Sequence, residues 1–170
     1  MKFLNLFAAT AVAFLLATSA HALSEKDAEI DTALTAKVSL KQAVQAAENT
    51  SKGIAIKAET ETKDKVTNYE VSVIVDQKIN KYLVDPQLGG VTKHKEDQAE
   101  DKEMAEALII RQAKTSLIAA ISAAETEGGK AMKAKLEDEH GKKTYKIKVA
   151  KGGKTETVLI DPETGKPVTK

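Results

Sequence analysis

The stretch Leu-Val-Asp-Pro-Gln-Leu-Gly at residues 83–89 returns as Leu-Ile-Asp-Pro-Glu-Thr-Gly at residues 159–165. Each stretch closes a longer match, because a tyrosine-led alternating segment precedes both of them. Further upstream, residues 39–48 match residues 116–125, beginning with Ser-Leu and ending with Ala-Ala-Glu. Three matches in the same order indicate two copies of one unit of about 55 to 60 residues.

Within each copy the hydrophobic period changes once, from helical to strand-like. One helical face is formed in each copy by four apolar residues: Leu40, Ala43, Val44 and Ala47, then Leu117, Ala120, Ile121 and Ala124. Three alternating stretches follow and predict half-buried strands, with hairpin loops at residues 76–77 and 152–153. The sequence therefore predicts an α+β fold in which each repeat packs one helix on a short antiparallel three-stranded sheet, in the order α-β-β-β.

These patterns divide the chain into five predicted segments: a signal peptide at 1–22, an N-terminal lead-in at 23–37, repeat 1 at 38–93, an acidic helical linker at 94–113 and repeat 2 at 114–170. The linker carries six acids against three bases, and its apolar residues have a helical period. It can run unbroken into the helix of repeat 2. The lead-in is also acidic and is expected to be either a short helix or a tail.

The first 22 residues have the three parts of a secretory signal peptide. Met1-Lys2 gives a positive start, an apolar run follows, and Ala20 and Ala22 form a small-x-small cleavage site. A membrane anchor is the poorer interpretation, because the run is shorter than the ~20 residues that a span needs. We expect cleavage after Ala22 and a periplasmic or secreted protein with no membrane anchor.

Composition excludes several classes of site. The 170 residues include no Cys and no Trp, which rules out a disulfide framework, a thiolate metal site and a cysteine nucleophile. The net charge is +1, and it becomes zero when Lys2 leaves with the signal peptide. The only aromatic residues beyond the leader are Tyr69, Tyr82 and Tyr145, too few for base stacking, so no nucleic-acid partner is expected. Tyr69 and Tyr145 are predicted to lie in the core.

The sharpest local motif is the Asp-Pro-x-x-Gly element. It is predicted to be a structural turn in both copies, formed by Asp85, Pro86 and Gly89, then Asp161, Pro162 and Gly165. An Asp side chain can accept backbone N–H bonds, Pro presets φ, and Gly takes a positive φ at the exit. The alternative is a cation-binding carboxylate, but a hard cation needs six or more oxygens, and this segment offers one or two carboxylates.

No motif in the sequence indicates a catalytic site. The histidines beyond the leader, His94 and His140, stand in polar stretches without a second ligand at metal-binding spacing. Ser39 and Ser116 stand at helix starts, where capping explains them, and Ser39 with Gln42 predicts a capping box. We therefore expect no enzyme, no catalytic or metal-binding residue and no cofactor.

Charge is distributed unevenly along the chain. Residues 114–170 carry 12 lysines against 8 acids, whereas the linker has a net charge of −3. One hypothesis is that the acidic linker helix docks on the lysine-rich surface around Lys146 and Lys148. We favour the alternative, a solvated linker beside a solvated sheet face, because exposed ion pairs contribute little.

The helix, the tyrosine-led strand and the closing Leu-Val-Asp-Pro-x-x-Gly-x-Val pattern resemble the PepSY domain, and the chain resembles a tandem PepSY protein over residues 38–93 and 114–170. The second copy departs from the pattern at Lys166-Pro167-Val168 and the first at Leu88 and Gly90. The resemblance implies a secreted or periplasmic, non-catalytic module of the kind found in propeptides of thermolysin-type metalloproteases and in envelope proteins. It supplies no catalytic residues.

We therefore expect an exported protein-binding module whose partner is a protein or peptide, for instance a peptidase that it restrains or regulates. Edge strands of the predicted sheets offer a physical route, since an extended peptide can add there. The alternative is an envelope protein that senses or binds a small ligand or a metal.

Overall fold

The computed structural model describes residues 24–126, 128–139 and 141–168. The predicted signal peptide, with Ala20 and Ala22, lies outside these ranges. Within them the chain forms four helices and seven strands: α1 (Glu25–Thr35), α2 (Leu40–Ser51), β1 (Ile54–Lys63), β2 (Val66–Val75), β3 (Lys78–Val84), β4 (Val91–Gln98), α3 (Asp101–Gln112), α4 (Leu117–Glu125), β5 (Lys130–Glu139), β6 (Lys142–Lys151) and β7 (Lys154–Ile160).

All the described strands belong to one antiparallel sheet in the order β4-β3-β2-β1-β5-β6-β7. The α+β class is confirmed, but the two predicted three-stranded sheets are joined into one through the pair β1–β5. Ala58 and Ala134 lie directly opposite each other in that pair and occupy equivalent positions of the two repeats. The repeats are therefore related by a local two-fold axis that passes between these two alanines.

Helices α2 and α4 cover one face of the sheet, which forms the main core. Leu40 and Val44 of α2 and Leu117 and Ile121 of α4 are almost completely buried with the inward residues of the strands. Ser39 begins α2 with the predicted capping box, in which its hydroxyl accepts from the Gln42 amide. The periodicity of the sequence thus places both helices on the correct face.

Helices α1 and α3 lie on the opposite face, which we call the open face. Each repeat therefore has a second helix that the predicted α-β-β-β order lacks. Ile30 and Ala33 of α1 pack against Met132 and Ala150, so α1 crosses from its own repeat onto β5 and β6. Helix α3 makes the equivalent crossing onto β1 and β2, where its residues Ala107 and Ile110 are buried on the open face.

The segment predicted as an acidic helical linker is divided between a strand and a helix. Residues 91–98 form β4, which pairs with β3, and helix α3 begins only at Asp101. Helix α3 does not continue into α4, because the two are bent by 73° at the break between them. No single helix in the described ranges is long and apolar enough to cross a membrane, and α3 with α4 meets that test only as this bent pair.

Candidate functional site: a charged cleft and an open sheet edge

The two Asp-Pro-x-x-Gly elements have the hydrogen bonds of a turn. Asp85 Oδ1 accepts from the amides of Gln87 at 2.7 Å and Leu88 at 2.9 Å, and Gly89 closes the turn with a φ of 73°. Hydrogen bonds from these amides lower the pKa of Asp85, with Leu88 the larger cause. In the second copy, Asp161 Oδ1 accepts hydrogen bonds from the amides of Glu163 at 2.8 Å and Thr164 at 2.9 Å.

These turns also hold the start of the core helices. The Pro86 carbonyl accepts from the Val38 amide at 3.0 Å, and the Pro162 carbonyl accepts from the Thr115 amide at 2.9 Å. Each donor directly precedes the serine that caps α2 or α4. The geometry of both elements is thus accounted for by local structure, with Oδ1 of each Asp accepting hydrogen bonds from its own backbone.

Within the described ranges, the remaining residues singled out from the sequence form no reactive group. His94 is exposed on β4, and His140 lies outside the described residues. The hydroxyls of Ser39 and Ser116 accept hydrogen bonds from backbone amides at the starts of α2 and α4. Among the described residues, no three His, Asp or Glu side chains stand close enough to hold a metal ion.

The tyrosines are core residues rather than binding platforms. Tyr69 and Tyr145 are fully buried, and burial raises the pKa of each to about 12. The Tyr145 hydroxyl donates to the Thr115 carbonyl at 2.8 Å. The equivalent hydroxyl of Tyr69 is buried without a hydrogen-bond partner among the described residues.

A row of lysines crosses the open face. Lys57 lies opposite Lys135 in the β1–β5 pair, and Lys135 lies opposite Lys146 in the β5–β6 pair. On the other side of Lys57 the row continues through Ser72 to Lys81. Neighbouring strands are about 4.8 Å apart, and like charges directly opposite each other are destabilising.

Two glutamates in the flanking positions compensate this repulsion. Each is shared by two lysines: Glu59 by Lys57 and Lys133, Glu137 by Lys135 at 2.6 Å and Lys146 at 3.0 Å. Burial raises the pKa of Glu59, but hydrogen bonds from its lysines outweigh that effect and leave the pKa below its usual value. A hydrogen bond from Lys135 lowers the pKa of Glu137. Both carboxylates are therefore ionised at neutral pH.

Helix α3 and the lysine-bearing part of the open face surround a space of about 650 Å³, which we call the charged cleft. Six lysines line it: Lys57, Lys81, Lys102, Lys133, Lys135 and Lys146. Glu106 of α3 also lines it, and burial raises the pKa of this carboxyl. The acidic helix thus lies over the lysine-bearing face, with its residues Ala107 and Ile110 buried.

The charge of the open face differs between the repeats. Three positions that are acidic or neutral in repeat 1 are basic in repeat 2: Glu59, Glu70 and Ser72 correspond to Lys135, Lys146 and Lys148. In the sequence, the alternating lysines predicted only a solvated face. The charge difference between the repeats could have been found by aligning the two copies, because the alignment places each acidic or neutral residue opposite its lysine.

The outer edge of β7 is the second candidate surface. The Val168 amide donates to the Leu159 carbonyl at 2.8 Å, so the backbone groups of Leu159 point away from β6. Because these directions alternate along a strand, Thr155 and Thr157 also turn their N–H and C=O outward. Among the described residues, no strand pairs with these groups. In repeat 1 the equivalent edge, that of β3, is covered by β4.

Comparison with known proteins gives one family and one solved structure. The family model PepSY, described as "Peptidase propeptide and YPEB domain", matches residues 37–94 and 116–168. A crystal structure from Clostridium difficile 630, described provisionally as a lipoprotein, is similar with a TM-score of 0.49 and 18% identity. The match covers 79% of this chain and 92% of that one. No curated protein matches the sequence.

Proposed function

Because the chain belongs to the PepSY family, whose domains are linked to peptidase propeptides and regulation, we propose that it is a non-catalytic, exported module that binds a protein or peptide partner. A peptidase that it restrains is the partner class that the family favours. Export is part of the proposal and rests on the signal peptide expected at residues 1–22.

The open edge of β7 is the observation that carries this proposal. Thr155 and Thr157 present backbone donors and acceptors that no strand of the described ranges pairs with, at the end of a seven-stranded sheet. An extended segment can satisfy them by adding as an eighth strand, which is a common mode of peptide recognition. The carboxylates of the two turns and those of Glu59 and Glu137 support binding over catalysis, since they are already hydrogen-bonded or ion-paired.

The proposal is tested by capture and inhibition. Residues 23–170 are immobilised, an envelope fraction is passed over them, and retained proteins are eluted with the same protein in solution, so that only specific binders are released. A released peptidase is then assayed with increasing amounts of the protein. Activity that falls with saturation supports the proposal. Release of no protein, or of a peptidase whose activity is unchanged at saturation, contradicts the regulatory function.

A second candidate, binding of a small charged ligand, is favoured by the charged cleft. Its volume of about 650 Å³ is within the usual range for ligand sites. Its lining carries six lysines and five acidic residues, and Glu137 is shared by Lys135 and Lys146. A melting temperature that rises with small anionic metabolites, and not with peptides, would favour this function over the first.

A further inference from the structure

We infer that the segment bound by β7 is an extended, acidic strand that adds antiparallel in the register that β4 takes on β3. This inference rests on the proposed function, because it specifies the chemistry of the partner at the same edge. It follows from the internal repeat, in which one copy shows how the edge of the other is completed.

The β3–β4 pair provides the template. Ile79 pairs with Asp97 and Lys81 pairs with Lys95 in that ladder. The positions equivalent to Ile79 and Lys81 in repeat 2 are Thr155 and Thr157, which are the residues with outward backbone groups. An added strand would place one residue opposite each threonine, with those two side chains on the open face. Its intervening residue would point to the helix-covered face.

That intervening position is occupied in the template by Glu96. Its carboxylate pairs with Lys78 at 2.6 Å and also with Lys93. Hydrogen bonds from these lysines, that from Lys78 being the larger cause, lower the pKa of Glu96 to about 2. The residue equivalent to Lys78 is Lys154, which has no ion-pair partner among the described residues. An acidic side chain at the Glu96 position of an added strand would supply one.

The surroundings of the edge favour the same charge. Strands β6 and β7 together carry six lysines and one acid, Glu156. On the open face, Lys148 lies opposite Thr157 in the β6–β7 pair, within reach of a side chain added beside that threonine. Basic segments would be repelled, whereas acidic segments would be attracted, most strongly at low ionic strength.

The opposite edge of the sheet does not offer an equal site. Strand β4 carries Lys93, Lys95, Glu96 and Asp97 close together and is exposed over most of its length. Dense charge of both signs on an edge strand is a usual protection against pairing with other chains. The outward residues of β7, in contrast, are Thr155 and Thr157, which are uncharged and favour strands.

Three synthetic peptides based on residues 93–98 test the inference on residues 23–170. Residues 91 and 92 are left out because Pro167 and Val168 already lie beside Ile160 and Leu159, where these two residues would pair. One has the β4 sequence, one is made acidic by Lys93→Glu and Lys95→Glu, and one is made basic by Glu96→Lys and Asp97→Lys. We expect the acidic peptide to bind at least about tenfold more tightly than the basic one at low salt, with the difference shrinking in 0.5 M salt. Binding is measured by fluorescence anisotropy.

Two measurements place the peptide on the edge. Amide hydrogen exchange of Thr155 and Thr157 should slow when the acidic peptide binds. Thr157→Pro should abolish binding, because it removes an outward N–H and leaves the bonds to β6 in place. Thr157→Ala is the matched control, since it keeps the N–H and should change affinity less than about twofold.

The outcomes separate the inference from the proposed function. If the basic peptide protects Thr155 and Thr157 as well as the acidic one does, the acidic chemistry is wrong although the edge is a binding site. If no peptide slows exchange at these amides, the inference fails, while the capture of a peptidase remains an independent result. If Thr157→Pro dissociates an oligomer of the protein itself, the occupant is a second copy and the inference is overturned.

Discussion

The two equivalent tyrosines allow one hydrogen bond to be measured against an internal control. Tyr145 donates its hydroxyl to the Thr115 carbonyl, whereas Tyr69 is buried at the same position of repeat 1 without a partner among the described residues. Tyr145→Phe and Tyr69→Phe remove the same oxygen from two equally buried rings. The difference between their free energies of unfolding therefore isolates the hydrogen bond.

The expected magnitudes follow from the state of each hydroxyl. Loss of a buried hydrogen bond, with a carbonyl left behind, costs about 1 to 2 kcal/mol, so Tyr145→Phe should be destabilising by that amount. Removal of an unpaired buried hydroxyl relieves a desolvation cost, so Tyr69→Phe should be neutral or stabilising by up to about 1 kcal/mol. For a protein of this size, each kcal/mol corresponds to about 2 to 4 °C in melting temperature.

Urea denaturation at pH 7, followed by circular dichroism, measures both variants under conditions in which both phenols are neutral. The dependence on urea should have the same slope in the two variants and in the parent protein, so that the midpoints report stability alone. Equal destabilisation of the two variants would refute the reasoning, because it would mean that the Tyr69 hydroxyl has a partner of its own. No change in either variant would refute the assigned value of the Tyr145 bond.

Two further predictions concern the helix-to-strand connection and the turns. Gly53→Ala should be destabilising by about 2 to 4 kcal/mol in a thermal melt, because a Cβ there would lie 2.4 Å from the Ile74 carbonyl oxygen, whereas Gly90→Ala, with no atom within 4 Å, should change stability little. Equal effects would contradict the close packing at Gly53. The pKa of Asp85 and of Asp161 is lowered in the folded protein, so their contribution to stability is present above the unfolded value of about 4 and is lost as the pH falls below it. The double variant Asp85→Asn with Asp161→Asn should therefore lose less stability than the parent between pH 5 and pH 2 in acid titrations, and parallel curves would show that the two carboxyls do not contribute.

Features with local signals could be predicted from the sequence. The serine before each core helix, the apolar face of that helix and the closing turn all lie within short stretches, and the repeat shows each of them twice. The loop at residues 152–153 has two glycines with φ values of 56° and 73°, as the predicted two-residue hairpin requires. Asp76 and Gln77 adopt the same conformation without glycine, with φ values of 46° and 67°.

Features that depend on distant pairing could not be predicted. Strand β4 is almost entirely exposed and four of its eight residues are charged, so its sequence lacks the apolar alternation that indicates a strand. Its conformation is decided by the edge of β3. Likewise, the alternation in β1 predicts which residues face the core, but nothing in it shows that β5 pairs on its other side.

The candidate surfaces could be predicted only in part, because they also depend on both local sequence and distant strand pairing. The sequence indicated a lysine-rich face around Lys146 and Lys148, and strand edges as a route for peptide binding. It did not bring Glu59 of one repeat against Lys133 of the other, because that contact requires the β1–β5 register. The open edge of β7 is recognised only by comparison with the equivalent strand β3, whose edge is covered by β4.

The pairing of β1 with β5 has a consequence for how the chain acquires its structure during synthesis. Repeat 1 leaves the ribosome first, yet β1 then has an unpaired inner edge, and the face that receives α3 is bare. Both are completed only by segments that begin at Asp101 and Lys130. The repeats are similar enough to be described as two modules, but we do not expect either repeat to fold stably alone. Folding should therefore be cooperative over the whole chain, with the formation of β5 as the event that commits both halves.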